Sequence, residues 1–309
     1  MKQFIIASIL LFSTIIVSGQ KIYTKTFGNP KDKAVVFLHG GPGYNCVNFE
    51  RTTAQKLADK GFFVLVYDRR GEGRSEDKKA KYTFDETLSD LNDLLKKNKI
   101  KKAVFIGHSF GGLVATLFAE RYPEKTEAVV LVGAPVVFQE TFQTIIKSSK
   151  EIYTQKNDTV NLKYIAMLEK MDTSRLDYSS YCFAHARQNG FYSAKKPSDE
   201  AKSIYATYKT DSVIIKYGSV MNYQAPTGFW KNEKYTTIDL TSDIQKLLNK
   251  NIKIFGLYGK DDGLFSTEQV IKTQSLLGEN NIIYLDNCGH NVFIDQQTKF
   301  LEAFVKWIK

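Results

Sequence analysis

Ala103-Val-Phe-Ile-Gly107-His108-Ser109-Phe110-Gly111-Gly112 decides the fold. Ala103–Ile106 is a short apolar run of buried-strand type. Gly107-His108-Ser109-Phe110-Gly111 matches Gly-x-Ser-x-Gly, and a helical pattern runs on to about Arg121, with Pro123 just beyond it. A strand that turns sharply into a helix holds its serine in a strained backbone conformation and projects the hydroxyl above a sheet. Glycines on either side let the two elements approach closely. The other reading of such a turn is a plain strand–helix junction with Ser109 as a helix cap.

Working outward, apolar runs of strand type alternate with helical patterns. Ala34–Leu38 reads as a strand ending at His39-Gly40-Gly41-Pro42-Gly43, and Phe49–Asp59 as helical. Phe62–Tyr67 is the next strand, ending at Asp68-Arg69-Arg70-Gly71-Glu72-Gly73-Arg74-Ser75. Thr83-Phe84-Asp85-Glu86 is a capping box opening a helix with Leu88, Leu91, Leu94 and Leu95 on its apolar face. Ala128–Val132 is a strand stopped by Gly133-Ala134-Pro135. Between Val136 and Ser242 strand alternation gives way to helices and loops rich in Tyr, Lys, Ser and Thr. A structureless linker of that length is implausible in a compact domain, so the segment reads as an inserted helical cap. Alternation resumes with Ile252–Tyr258, a helix capped at Ser266-Thr267-Glu268-Gln269, strand Asn281–Leu285 and a closing helix Phe293–Ile308. The pattern predicts an α/β fold with a mostly parallel central sheet, flanking helices and a cap.

The remaining composition bounds the class. The 309 residues, 43% hydrophobic and 13% aromatic, suffice for one α/β domain with an insertion. The net charge of +10 comes largely from scattered lysines without a nucleic-acid motif, and it reads as solvated surface. Lys2 precedes an uncharged stretch, Phe4–Val17, followed by Ser18, Gly19 and Gln20. It is short for a membrane span and reads as a signal peptide over residues 1–19, with an uncleaved N-terminal anchor as the alternative; removal of the signal implies a secreted or periplasmic protein without stable membrane insertion. Three cysteines, Cys46, Cys182 and Cys288, are too few for a disulfide framework, have no metal-ligand spacing and read as buried small side chains. The organisation is then 20–135 for the first part of the core, 136–242 for the cap and 243–309 for the second part.

A serine hydroxyl needs an adjacent base to become a nucleophile. The chain has four histidines. His39 sits in the glycine-rich loop, His108 beside Ser109 and His185 in the cap, which leaves His290, after the last strand in Asn287-Cys288-Gly289-His290, as the base. The base needs an orienting carboxylate. The strand Ile252–Tyr258 ends at Gly259-Lys260-Asp261-Asp262-Gly263, where Asp262 is the choice and Asp261 the rival. The order Ser109, Asp262, His290 is that of the strand–turn–helix nucleophile motif. Oxyanion donors are expected from the backbone N–H groups of Phe110 and Gly41. The glycine loop lacks the Lys-Ser/Thr of a P-loop and the spacing of a dinucleotide fingerprint. No metal or organic cofactor is called for.

Taken together, His39-Gly-Gly-Pro-Gly43, Asp68-Arg-Arg-Gly-Glu-Gly-Arg-Ser75, Gly107-His-Ser-Phe-Gly-Gly112, the Gly259–Asp262 turn and Gly289-His290 resemble the α/β-hydrolase superfamily. The His-Gly-Gly-Pro-Gly loop looks most like the proline iminopeptidase group. That resemblance implies an enzyme that removes N-terminal residues, often proline, from small or short-peptide substrates, with cap carboxylates holding the free amino group. Glu140, Glu151, Glu169, Glu200 and Glu233 are the cap carboxylates considered. The chain departs from that group in having His108 and Phe110 around Ser109, where those peptidases usually have Gly and Trp. A carboxylesterase or thioesterase of the same fold is the alternative, and a non-catalytic ligand-binding protein is the second.

Overall fold

The computed structural model describes residues 22–309, so the segment read as a signal peptide lies outside the described residues. The strands are β1 (Thr24–Phe27), β2 (Lys33–Leu38), β3 (Phe62–Tyr67), β4 (Ala103–His108), β5 (Thr126–Val132), β6 (Lys253–Gly259) and β7 (Ile282–Leu285). They form one sheet in the order β1-β3-β2-β4-β5-β6-β7, antiparallel at β1 and parallel elsewhere. The parallel strands are buried on both faces, which explains why they read as continuous apolar runs.

Alternate residues feed two cores. Val36, Leu38, Leu65 and Phe105 face one side, and Val35, Phe37, Val64, Val104 and Ile106 the other. The helices of the first part are α1 (Val47–Thr52), α2 (Ala54–Ala58), α3 (Phe84–Lys97) and α4 (Phe110–Arg121). Between β5 and β6 come α5 (Phe138–Gln155), α6 (Thr159–Leu168), α7 (Leu176–Gln188), α8 (Asp199–Ala206), α9 (Ser212–Tyr217), α10 (Gln224–Glu233) and α11 (Thr241–Asn249). The chain ends with α12 (Thr267–Leu277), α13 (Val292–Asp295) and α14 (Gln297–Ile308). The first core takes in α3, α4, α11, α12 and the cap aromatics Phe142, Tyr178 and Phe229, whereas α1, α2, α13 and α14 cover the opposite face. Among the described residues no helix is long and apolar enough to cross a membrane.

Several elements differ from the sequence-based expectation. The helix expected over Phe49–Asp59 is broken at Thr53, and the closing helix is broken at Gln296. The two breaks face each other: Thr53 Oγ1 donates to Phe293 O at 3.0 Å and Gln297 Nε2 donates to Thr52 O at 3.0 Å. Thr83 does cap α3, accepting from Glu86 N at 3.2 Å. The Glu86 carboxylate, however, accepts from Lys81 N at 2.7 Å instead of closing the box. At Ser266 both halves of the capping box form. The edge strand β1 is an addition to the expected elements, since its four residues are mostly half-exposed and show no apolar run.

The strand order reverses around β2, which pairs with β3 on one side and β4 on the other. A crevice at the carboxyl ends of the strands opens at such a reversal. The glycine-rich loop follows β2 and the Ser109 turn follows β4, so the two emerge side by side.

Candidate active site

Ser109 has φ 52° and ψ −125°, a conformation that L-residues other than glycine rarely adopt. It is held there by backbone bonds, from Ser109 N to Val132 O at 3.0 Å and from Gly112 N to Ser109 O at 2.8 Å. The turn is possible because its glycines have no side chain. A Cβ on Gly111 would lie 2.0 Å from Leu38 O, and one on Gly107 would lie 2.5 Å from the Gly112 Cα. Although Ser109 occupies the N-cap position of α4, its hydroxyl makes no capping bond, so the plain cap reading fails. The residue is half-buried, with its hydroxyl free of any hydrogen bond to the described residues.

His290 and Asp262 are both buried and joined, with His290 Nδ1 2.7 Å from Asp262 Oδ2. Asp262 Oδ1 also accepts from Leu264 N at 3.1 Å, which fixes the carboxylate plane. With Nδ1–H donating to the carboxylate, the lone pair of Nε2 is left as the basic site. The pair packs against Gly133, one residue past the carbonyl that holds Ser109: a Cβ there would be 3.2 Å from His290 Nδ1 and 3.5 Å from Asp262 Oδ2. Asp261, the rival carboxylate, accepts from Lys195 N at 2.9 Å and takes no part in the imidazole contact.

The other three histidines are committed elsewhere. His39 Nδ1–H donates to Gly40 O at 2.9 Å, and Nε2 accepts from Arg69 N at 3.0 Å. Burial first, and then the Arg69 charge, lower its pKa well below the ordinary value. His108 donates from Nε2 to the backbone carbonyl of His290 at 3.1 Å, and the two rings lie 4.8 Å apart. Burial and the neighbouring imidazole push the His108 pKa down to about 3. A neutral His108 therefore anchors the main chain of His290. His185 meets Tyr153 Oη at 2.8 Å inside the cap.

The proposed oxyanion donors are also placed. The N–H groups of Gly41 and Phe110 have no acceptor among the described residues. The glycine loop reaches Ser109, since a Cβ on Gly40 would sit 3.2 Å from Ser109 Cβ. Gly41 has φ 119°, a region that glycine occupies without strain.

Two cap segments clasp these loops, and nothing in the residue order marks either beyond a Tyr-rich composition. Gly263 N donates to Phe191 O at 2.8 Å and His290 N to Tyr192 O at 3.0 Å. The Tyr192 ring meets the His290 imidazole edge-on, with centroids 5.4 Å apart. On the other side Asn222 N donates to Gly43 O at 2.8 Å, and Asn45 Nδ2 to Tyr217 O at 2.8 Å. Near His290, Asp295 accepts from Gly289 N and from Tyr205 Oη, each at 2.8 Å. Burial raises the pKa of Asp295 above the ordinary carboxylate range.

Of the five cap glutamates considered, four have partners of their own. Glu140 pairs with Lys272, Glu169 with Lys150, Glu200 with Thr298, and Glu233 accepts from Phe84 N. Glu151 is exposed. A cleft of about 260 Å³ between α5 and α12 is lined by Ala134, Val136, Tyr258, Phe265 and Gln269, with Glu140 at its edge; neither Ser109 nor His290 lines it. All three cysteines are free and buried.

A family model described as alpha/beta hydrolase fold matches residues 33–297. The chain is 24% identical over 302 residues to a proline iminopeptidase of Lactobacillus crispatus, covering 94% of this chain and 95% of that protein. Among solved structures, a proline iminopeptidase-related protein of Thermus thermophilus superposes with a TM-score of 0.64 at 22% identity, covering 92% of each chain. A structure from a study of carboxylesterases of Nitrososphaera gargenis gives a TM-score of 0.61 at 19% identity, covering 93% of each chain. A seven-stranded sheet with this order, a helical insertion after β5 and a family match over most of its length establish that the chain belongs to the alpha/beta hydrolase fold family.

Proposed function

We propose that this chain is a serine hydrolase that cleaves an amide or ester bond through an acyl-enzyme. One relationship carries the reading: a serine with φ 52° and an uncommitted hydroxyl is bonded through its N–H to Val132 O, and the next residue, Gly133, packs against an imidazole whose Nδ1 lies 2.7 Å from a buried carboxylate. His290 Nε2 takes the Ser109 proton as Oγ attacks the carbonyl carbon, and the carbonyl oxygen becomes the oxyanion held by the Gly41 and Phe110 N–H groups. When the tetrahedral intermediate collapses, the bond to the leaving amine or alcohol breaks and His290 gives that group its proton. Water, deprotonated by His290, then attacks the acyl-enzyme and releases the acid and Ser109. Asp262 keeps the imidazole in one tautomer and stabilises the imidazolium.

For the substrate, the His39–Gly43 loop and the iminopeptidase relative support an aminopeptidase-like reading. The second reading, a carboxylesterase or thioesterase, is favoured by the cap glutamates: four of the five are already partnered and the fifth is exposed, whereas a free amino group needs an available carboxylate. A fluorophosphonate probe together with prolyl amides and short acyl esters tests both. Labelling of wild type but not of Ser109→Ala is the expected result, and a requirement for a free amine selects the peptidase. A wild type that neither labels nor turns over any member of the panel would instead support the non-catalytic, ligand-binding reading.

A further inference from the structure

We infer that Arg69 and Glu72 form a buried clamp that orients the Gly41 N–H toward the reacting carbonyl oxygen, and so act as positioning residues for catalysis. The inference rests on the serine hydrolase reading above and assigns a task to side chains outside its machinery.

Gly-Gly-Pro-Gly is a poor material for a preorganised donor, because glycine has more backbone freedom than any other residue. An oxyanion hole works only if its donors already point at the developing charge. Here the loop is fixed from outside. Arg69 is 2% exposed and Glu72 is fully buried. The Arg69 fork donates from Nη1 to His39 O at 2.5 Å and from Nη2 to Gly40 O at 2.7 Å. The same guanidinium holds Glu72 through Nε at 3.0 Å and Nη2 at 2.9 Å. Glu72 Oε2 then accepts from Gly43 N at 2.7 Å, so the loop is gripped on both sides of Gly41.

Peptide geometry turns this grip into an aim. The Gly40 carbonyl and the Gly41 N–H belong to one peptide unit, and in a trans unit they point in opposite directions. Drawing Gly40 O onto Arg69 and His39 Nδ1 therefore turns the Gly41 N–H away from both. A flip of that unit would break two hydrogen bonds, one of them to a charged donor. The guanidinium also lies 5.1 Å from the ring centroid of Phe110, whose N–H is the second proposed donor. Lysine cannot reproduce the fork, since its single ammonium cannot reach two carbonyls and a carboxylate in one plane.

The test compares wild type, Arg69→Lys and Glu72→Gln on an activated acyl ester, with binding of a boronic acid that forms a tetrahedral adduct. Lysine keeps the charge opposite Glu72, and glutamine keeps an acceptor for Gly43 N. The expected result is a kcat lower by about 10–100-fold with KM changed by less than about threefold, since one misaimed donor costs up to about 10²–10³. Boronate affinity should fall in parallel with kcat/KM. Unchanged kcat in folded variants would overturn the inference, as would an equal loss in KM and kcat with boronate affinity preserved. Failure of both variants to give a cooperative unfolding transition would overturn it too, by making the pair a folding element. A wild type inert toward the ester is a distinct result that removes the hydrolase reading itself.

Discussion

Asp262 Oδ2 lies 2.7 Å from His290 Nδ1, while its chain neighbour Asp261 accepts the Lys195 N–H at 2.9 Å. Two adjacent carboxylates on one turn thus have separate tasks, one in the site and one tying the cap to the core. Asp262→Asn is expected to lower kcat by about 10³–10⁴-fold, because the imidazole loses its tautomer control. Asp261→Asn is expected to change kcat by less than about fivefold, since it weakens a single hydrogen bond. Steady-state kinetics on one ester substrate distinguishes the two.

The strain at Ser109 predicts opposite effects on activity and stability. Ser109→Gly removes the hydroxyl and also relieves the unfavourable φ of 52°. The variant should lose fluorophosphonate labelling and gain about 1–2 kcal/mol in unfolding free energy, measured by urea denaturation. A variant that is both inactive and less stable would contradict the strained-turn account.

Close approach of β2 and α4 predicts a sharp dependence on Gly111. Gly111→Ala would place a Cβ 2.0 Å from the Leu38 carbonyl, which is backbone and cannot swing away. A loss of about 3 kcal/mol or more is expected. Gly190→Ala, with φ 70° but nothing beyond its own chain neighbours within 4 Å of the new Cβ, isolates the conformational cost and should lose about 1 kcal/mol. Thermal unfolding of the two variants checks the difference.

His39 makes stability pH-dependent in a definite direction. Burial and Arg69 lower its folded pKa well below the ordinary value of 6.5. The unfolded chain therefore binds a proton near pH 6.5 that the folded chain refuses, so stability is complete above that pH and falls as the pH drops below it. The slope for this one group approaches about 1.4 kcal/mol per pH unit. His108, also lowered, acts in the same direction. Urea unfolding from about pH 7.5 to about pH 5 should show the decline, and His39→Gln should flatten it; an unchanged slope would remove His39 as a cause.

Much of this arrangement is readable from residue order. Buried strands such as Phe62–Tyr67 and the leucine face of α3 announce themselves because side-chain burial leaves a period in the sequence. The Ser109 turn is legible because its glycines are required by close contact with the Leu38 carbonyl and with the α4 backbone. His290 can be reached by elimination among four histidines. The breaks at Thr53 and Gln296 are not legible, because each is maintained by hydrogen bonds to a segment about 240 residues away in the chain. Arg69 and Glu72 stand in a recognised motif without an evident task, since nothing in their spacing says which carbonyls they bind.

By itself, then, the amino-acid order determined the α/β alternation, the strained serine and the short list of groups able to serve it. Those follow from local sterics and from apolar periodicity, which act over a few residues. Only the tertiary structure decided which of two adjacent aspartates meets the imidazole, that His108 anchors the His290 loop, and that a buried ion pair grips the glycine loop. Each of these is a directional bond between loops far apart in the chain, and its geometry exists only once the sheet has set the strand ends side by side.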